Sequence, residues 1–265
     1  MRALVFGASG QIGAPLLRRL EAAGWEMLAV SREPRADAPG LRWLRGDLQH
    51  CDGLPLAVDA IFSCGPLDLF ARWYLSSRIV APRVIAFGST SVSAKASSGD
   101  PRERDLARRL REGEIGVFAA AAARGAAATV LRPTLVYGAG RDRTLARIAG
   151  FARRRGWMVL PAGATGLRQP VHVDDLAAAA MLARAAPASH GRSYDLPGGE
   201  TLPYRGMVAR MLAAMQPAPR LLELPSPCFA AALAAARVLG RADGIGDAAI
   251  DRLREDLVFD AGPAA

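Results

Sequence analysis

Apolar residues in the first half of this chain come in short runs separated by stretches of helical periodicity. Ala3-Leu4-Val5-Phe6, Glu26 to Val30, Leu41 to Arg45, Ala60 to Ser63, Arg83 to Phe87 and Thr129-Val130-Leu131 each read as a strand. The first run, bounded by glycine, suits a parallel strand buried on both faces. Gln11 to Leu20, Leu67 to Ile79 and Pro101 to Arg124 read as helices, the last with Asp100 as its cap, Pro101 at its first position and Gly113 and Gly116 as points where it could bend. Strands alternating with helices across short loops predict an α/β fold, a Rossmann-like doubly wound parallel sheet.

Beyond the sixth strand the pattern continues with a helix from Thr144 to Arg155, a strand from Trp157 to Leu160 and a short strand Val171-His172-Val173. Asp174-Asp175 then opens a helix from Leu176 to Ala185. The texture changes from Pro187 onward. Pro217, Pro219, Pro225 and Pro227 separate a helix at Arg205–Met215 from one at Cys228–Leu239, and a short charged helix follows near Asp247–Glu255. The expected organisation is a nucleotide-binding domain over 1–186, with 139–169 contributing to the substrate cleft. A small, mainly helical C-terminal substrate lobe spans 187–265, its last residues frayed.

The first strand runs directly into Gly7, Gly10 and Gly13 at three-residue spacing, and the first helix follows. Such a turn lets backbone N–H groups point at an anion, to which the helix N-terminus adds partial positive charge. Side chains at Gly7 or Gly10 would hold a pyrophosphate off, and one at Gly13 would push the helix off the strand. The turn, with Ser9, Gln11 and Ile12 between its glycines, is therefore expected to bind a dinucleotide. The second strand ends at Ser31-Arg32, where NAD-specific proteins usually place an acid for the ribose hydroxyls. A guanidinium there suits a 2′-phosphate, so NADP is favoured over NAD.

Composition narrows the partners. At 265 residues, with 51% hydrophobic and 22% charged, the chain can bury a sizeable core. Its net charge of +9 rests on 33 arginines and one lysine, Lys95, a skew that marks GC-rich coding rather than a basic surface. Only Arg153-Arg154-Arg155 forms a run, placed to close a helix at its negative end. No RNA- or DNA-binding motif accompanies it, and a nucleic-acid partner is not expected. Cys51, Cys64 and Cys228, like His50, His172 and His190, are scattered without metal-ligand or dithiol spacing, so no metal is expected and the thiols read as reduced. Neither a signal peptide nor a membrane-spanning segment is legible, which points to the cytoplasm. The oligomeric state stays open, a homodimer being compatible.

These segments together resemble the short-chain dehydrogenase/reductase superfamily, of the extended, epimerase/dehydratase-like type. Gly7-Ala8-Ser9-Gly10-Gln11-Ile12-Gly13 resembles its glycine turn, and Gly46-Asp47-Leu48 the segment whose aspartate bonds the adenine edge. Leu131-Arg132-Pro133-Thr134-Leu135-Val136-Tyr137-Gly138 resembles the sixth-strand signature, where backbone beside Pro133 lies against the nicotinamide. Arg168 through Asp174-Asp175-Leu176 resembles a further family segment, in which the position of Arg168 often holds an anionic substrate group. Leu253 to Asp260 resembles a shortened family tail. Cys64 and Gly65, at the fourth strand end, complete the cofactor set that the resemblance implies.

One departure bears on chemistry. The family's Tyr-x-x-x-Lys pair, which relays a proton to the substrate oxygen, belongs on the helix after the fifth strand, and Pro101 to Arg124 holds neither residue. Glu114 fills the place of the acid that often follows the pair, which puts Leu106 and Leu110 at the catalytic positions. Tyr74 and Arg78 have the spacing but precede the fifth strand. The remaining candidates are Ser89 and Thr90, resembling the family's substrate-bonding hydroxyl, and Tyr137, while His172 and the two aspartates read as structural. The expected function is an atypical NADP(H)-dependent oxidoreductase acting on a small carbonyl or sugar-like molecule. The alternatives are a catalytically inactive dinucleotide-binding sensor, regulator or assembly protein, and an isomerase or dehydratase that recycles its cofactor.

Overall fold

The computed structural model describes residues 1–140, 142, 144–238 and 250–264. The apolar runs become β1 (Arg2–Phe6), β2 (Glu26–Ser31), β3 (Leu41–Arg45), β4 (Ala60–Ser63), β5 (Arg83–Phe87) and β6 (Ala127–Pro133). Short strands follow: β7 (Val136–Tyr137), β8 (Trp157–Pro161), β9 (Leu167–Arg168), β10 (Val171–His172), β11 (Arg192–Leu196), β12 (Leu202–Pro203) and β13 (Arg220–Leu224). The helices are α1 (Gly13–Ala22), α2 (Leu67–Ser76), α3 (Ser91–Ala94), α4 (Pro101–Ala122), α5 (Leu145–Arg155), α6 (Val173–Ala185), α7 (Tyr204–Ala213) and α8 (Ser226–Val238). The expected helix at Asp247–Glu255 starts outside the described residues.

Seven strands form one sheet in the order β11-β6-β5-β4-β1-β2-β3, every pairing parallel. The sheet is buried because alternate residues of each central strand serve opposite helical layers. Ala3, Val5, Phe62, Ile85 and Leu131 pack in one layer with Leu16 and Leu20 of α1 and Leu176, Ala177 and Ala180 of α6. Leu4, Phe6, Ile61, Val84 and Val130 pack in the other with Phe70 and Tyr74 of α2 and Val117 and Ala121 of α4. The strand order reverses between β1 and β4, and at such a switch point the helices diverge and leave a crevice at the carboxyl edge.

Two arginines tie this sheet to its helices. Arg83, at the start of β5, donates to the carbonyls of Ala183 (2.6 Å), Arg184 (3.1 Å) and Ala127 (2.9 Å) and to the hydroxyls of Thr129 and Ser189. Arg132 of β6 forms a two-pronged ion pair with Glu114 of α4: Nε donates to Oε1 at 2.7 Å and Nη2 to Oε2, which also accepts from Ser193 Oγ at 3.3 Å. Glu114 also fixes the level of α4 against the sheet. A Cβ added at Gly88, just past the end of β5, would lie 3.5 Å from Glu114 Oε1. The part of α4 from Pro101 to Gly113 therefore stands beyond the carboxyl edge, over about 20 Å at the usual rise of a helix. The helix runs unbroken through Gly113 and Gly116; a Cβ at Gly113 would press to 3.2 Å from Leu67 Cγ of α2, while one at Gly116 would meet Ala71 at an ordinary 3.4 Å.

The chain divides into two compact units that alternate along it: Met1–Ala139, Val171–Pro197 and Asp260–Ala265 form one, Gly140–Pro170 and Gly198–Phe259 the other. The stretch from Pro187, expected to begin the lobe, supplies β11 at the edge of the main sheet. In the second unit β8 pairs in parallel with β13, and β9 antiparallel with β12. Helix α5 ends on the three consecutive arginines and Gly156 in the left-handed region (φ 75°), as the charge pattern predicts.

Arg168 belongs to this second unit and is 6% exposed. Its Nη1 donates to the carbonyls of Leu167 and Glu255, both at 2.7 Å, its Nη2 donates to the Arg252 carbonyl, and its guanidinium lies 5.5 Å from the Tyr204 ring centre. Burial pushes its pKa down from the usual arginine value. Arg168, expected to hold an anionic substrate group, thus gives three of its five N–H donors to backbone carbonyls, two of them in the C-terminal segment. Sequence cannot see this, since two of the three partners are carbonyls more than eighty residues away.

Two stability predictions follow from these clamps. Glu114→Ala, which leaves Arg132 with Asp195 alone at 3.6 Å, is expected to cost about 2 kcal/mol in chemical denaturation, while Glu114→Leu with Arg132→Met costs less than the single change. Arg168→Met is expected to speed amide exchange in residues 252–257 and leave dinucleotide affinity unchanged. Unchanged exchange in residues 252–257 would refute the clamp.

Candidate functional site

The residues singled out from sequence, Arg168 apart, converge on the carboxyl ends of the strands in the first unit. The turn after β1 is shaped by contact with its neighbours. A Cβ on Gly7 (φ +67°) would come within 2.7–2.9 Å of the Cys64–Gly65 backbone, and one on Gly13 would lie 2.2 Å from Gly7 O and 2.6 Å from Ala8 Cα. Gly7 is thus demanded by the adjacent strand end and by its positive φ, not by the approach of a ligand. Gly13 lets α1 begin directly against the turn. A Cβ on Gly10 would press to 3.0 Å from Gly7 O, because the Gly10 N–H closes the turn onto that same oxygen at 2.9 Å.

Helix α1 starts here without a side-chain cap and without an acid in its first turn. Its N-terminal dipole is left uncompensated by the chain, which suits an anion. Gln11 Oε1 is buried and lacks a hydrogen-bond partner. Ile12 is 8% exposed and points into the core, so it contributes backbone alone. Ser9 lies in the turn. A tight glycine turn, an uncapped helix and an orphaned amide oxygen fit a pyrophosphate.

At the end of β2, Ser31 is buried and its Oγ accepts from the Glu33 N–H at 3.2 Å, so Ser31 shapes the bend rather than facing a ribose. Arg32 is exposed next to it. Arg35 stacks over Trp43 with 5.1 Å to the ring centre. Past β3, Asp47 Oδ1 accepts from the N–H groups of His50 (3.0 Å) and Gln49 (2.8 Å). These bonds, with the Arg32 charge, hold its carboxyl below the ordinary aspartate range. Leu48 packs against the core layer that contains α2, and its Cδ1 would be 3.2 Å from a Cβ on Gly65. Burial pushes the Cys64 thiol up to about 12, so this sulfur stays protonated and is no nucleophile.

After β5, Ser89 Oγ accepts from the Ser91 N–H at 3.2 Å at the start of α3. Thr90 is 6% exposed, and both its N–H and its hydroxyl donate to the carbonyl of Pro133 at 3.2 Å. Thr90, expected to be a substrate-bonding hydroxyl, thus ties the ends of β5 and β6 together through its hydroxyl. Tyr137 on β7 is 40% exposed and meets the His172 ring edge-on, with centres 5.1 Å apart. A Cβ on Gly138 (φ +114°) would collide with that imidazole at 2.3 Å. His172 Nδ1 accepts from the Asp174 N–H at 3.3 Å and so caps α6, whose first turn carries both aspartates, as their sequence position suggests.

Leu106 and Leu110, which occupy the Tyr and Lys positions implied by the resemblance, are half-buried on α4. The structure adds an ion pair that sequence reading passed over: Lys95 Nζ, just past α3, lies 3.1 Å from Glu103 Oε1 in the first turn of α4. Its sequence signal was the lone lysine among arginines. No group of three or more potential metal ligands occurs among the described residues, and no helix among them is long and apolar enough to cross a membrane.

Known proteins share this fold. The family model for the NAD dependent epimerase/dehydratase family matches residues 3–69 and 72–196. A 2-alkyl-3-oxoalkanoate reductase of Stenotrophomonas maltophilia is 29% identical over 258 residues, covering 83% of this chain and 77% of its own. Among solved structures, the terminal R domain of the myxalamid PKS-NRPS biosynthetic pathway superposes with a TM-score of 0.72 at 21% identity, over 99% of this chain and 83% of that one. A UDP-glucuronic acid 4-epimerase from Bacillus cereus in complex with NAD gives 0.66 at 13% identity, over 97% of both chains. These structural likenesses are of fold. With the family model spanning β1 through β11, the chain belongs to the NAD dependent epimerase/dehydratase family.

Proposed function

We propose that this protein is an NADP(H)-dependent reductase of small carbonyl compounds. The observation that carries the reading is the opening turn: Gly7, Gly10 and Gly13 are all held by backbone contact, Gln11 Oε1 is buried without a partner, and α1 begins uncapped at the switch point of the sheet. Gly10, Gln11 and the first amides of α1 are assigned to the diphosphate, Asp47 and Leu48 to the adenine side, and Gly65 and the Pro133 backbone to the nicotinamide end. A nicotinamide bound there would supply or accept a hydride.

The exposed Arg32 at the end of β2 supports a 2′-phosphate, and so NADP over NAD, through charge-assisted hydrogen bonds. Asp47, whose carboxylate feels the Arg32 charge, is engaged by the backbone amides of Gln49 and His50. The 2-alkyl-3-oxoalkanoate reductase relative supports a 3-oxo acid or ester as the substrate class. A second reading, a dinucleotide-binding sensor, draws on Leu106 and Leu110, since neither can move a proton. The two part on one measurement, loss of NADPH absorbance with ethyl 2-methyl-3-oxobutanoate.

By calorimetry, Gly10→Glu is expected to abolish NADPH and NADH binding, because a carboxylate would stand in the space meant for the diphosphate. Arg32→Glu is expected to weaken NADPH at least tenfold more than NADH. Equal NADPH affinity for wild type and the Arg32 variant would refute the preference for NADP.

A further inference from the structure

Glu103, Leu106, Leu110 and Glu114 follow one another at helical spacing along a single face of α4. Glu114 fixes the direction of that face, because it meets Arg132 and lies beside Gly88. Glu103 therefore looks out over the carboxyl edge from the part of α4 that stands beyond the sheet, with two leucines between it and Glu114. On this face the carboxylate of Glu103 holds an ammonium.

The site around that ammonium is built. Ser98 Oγ donates to Glu103 Oε2 at 2.7 Å, while Lys95 Nζ lies 3.1 Å from Oε1. The side chains of Lys95 and Glu103 are 26% and 12% exposed, against half or more for a surface pair such as Arg2–Glu26. The backbone carrying the lysine is fixed in turn: Lys95 N–H donates to Ser91 O, and Ser93 Oγ donates to Thr90 O, which anchors α3 to the end of β5. Arg104 Nη1 closes the following loop by donating to the carbonyls of Ser98 (2.6 Å) and Gly99 (3.0 Å).

Composition bears on the same residue. Of 34 basic side chains, 33 are arginine, so wherever a positive charge suffices this chain uses the guanidinium. A guanidinium cannot give up a proton under working conditions, whereas an ammonium can. We infer that Lys95, steered by Glu103, donates the proton that completes carbonyl reduction, in place of the missing tyrosine relay. The inference rests on the reductase reading proposed above.

In balance, the carbonyl carbon takes a hydride from the reduced nicotinamide and the C=O π pair moves to oxygen. An O–H bond forms as an N–H bond of the Lys95 ammonium breaks. The substrate is reduced, the nicotinamide is oxidised, and the neutral amine regains its proton from water through its exposed quarter. Tyr137, on β7 beside His172, is the competing donor.

The test compares wild type, Lys95→Ala, Lys95→Arg and Tyr137→Phe, with NADPH and ethyl 2-methyl-3-oxobutanoate as the probes. NADPH affinity, read by fluorescence titration, is expected to stay within twofold in all four, which also shows that each variant folds. Turnover is expected to fall by about 10²- to 10⁴-fold in both lysine variants, the size of a lost proton transfer, and to change little in Tyr137→Phe. Added methylammonium is expected to restore turnover to Lys95→Ala, and guanidinium is not.

A readout independent of turnover comes from reductive methylation with ¹³C-formaldehyde. It labels only Met1 and Lys95 in the full chain, and the Lys95 resonance is expected to move when the oxo ester is added to the NADP complex. Full activity in Lys95→Arg, rescue by guanidinium, or loss of activity only in Tyr137→Phe would each overturn the inference while leaving the reductase reading intact. A wild type that binds no dinucleotide would remove both.

Discussion

The contact on which the rest of this structure depends is the one between the opening turn and the chain around it. A methyl group at Gly13 would fall 2.2 Å from Gly7 O, and one at Gly7 would fall 2.7 Å from the Cys64 backbone. These approaches let α1 begin where β1 stops and let the β4 end nest against the turn. The helix dipole is thereby aimed along the carboxyl edge, at the point where the strand order reverses. Relaxing either contact would tilt α1, pull Leu16 and Leu20 from the core layer and turn the anion-binding end elsewhere.

Around that fixed point the carboxyl edge is rigid where backbone meets backbone and polar where side chains remain. Thr90 fastens β5 to β6 through the Pro133 carbonyl, Asp47 closes the turn after β3, and His172 caps α6. Each of these residues carries chemistry in name yet spends its hydrogen bonds on the scaffold. The groups left with freedom to act are fewer: Gly10 and the uncapped α1, Arg32, Ser89, Tyr137, and the Lys95–Glu103 pair.

Strand and helix positions in the first unit were legible because burial on both faces produces uninterrupted apolar runs, and Arg83 to Phe87 was read to the residue. The strands missed from sequence, β7, β9, β11, β12 and β13, are short or lie at edges. Arg192–Leu196 carries Arg, Ser and Asp because only one neighbour, β6, needs its backbone. The glycine turn and strand ends were readable as a set, since their order along the chain is also their order around the edge. The roles of Thr90 and Arg168 were not, because both are decided by carbonyl oxygens of distant segments, which leave no mark in side-chain identity. Lys95 was visible as a compositional oddity, and only its pairing with Glu103 gave it a place.

The way the chain threads its two units has an architectural consequence. The first unit is left at Ala139 and rejoined at Val171, where β7 and β10 run side by side with Val136 opposite Val171. It is left again after Pro197 and rejoined at Asp260, and the closing 3₁₀ turn at Gly262–Ala264 packs back against β11. Each departure and its return are neighbours in space. The nucleotide-binding framework thus behaves as a chassis with two docking ports, into which segments of different length could be spliced without altering a single strand pairing of the main sheet.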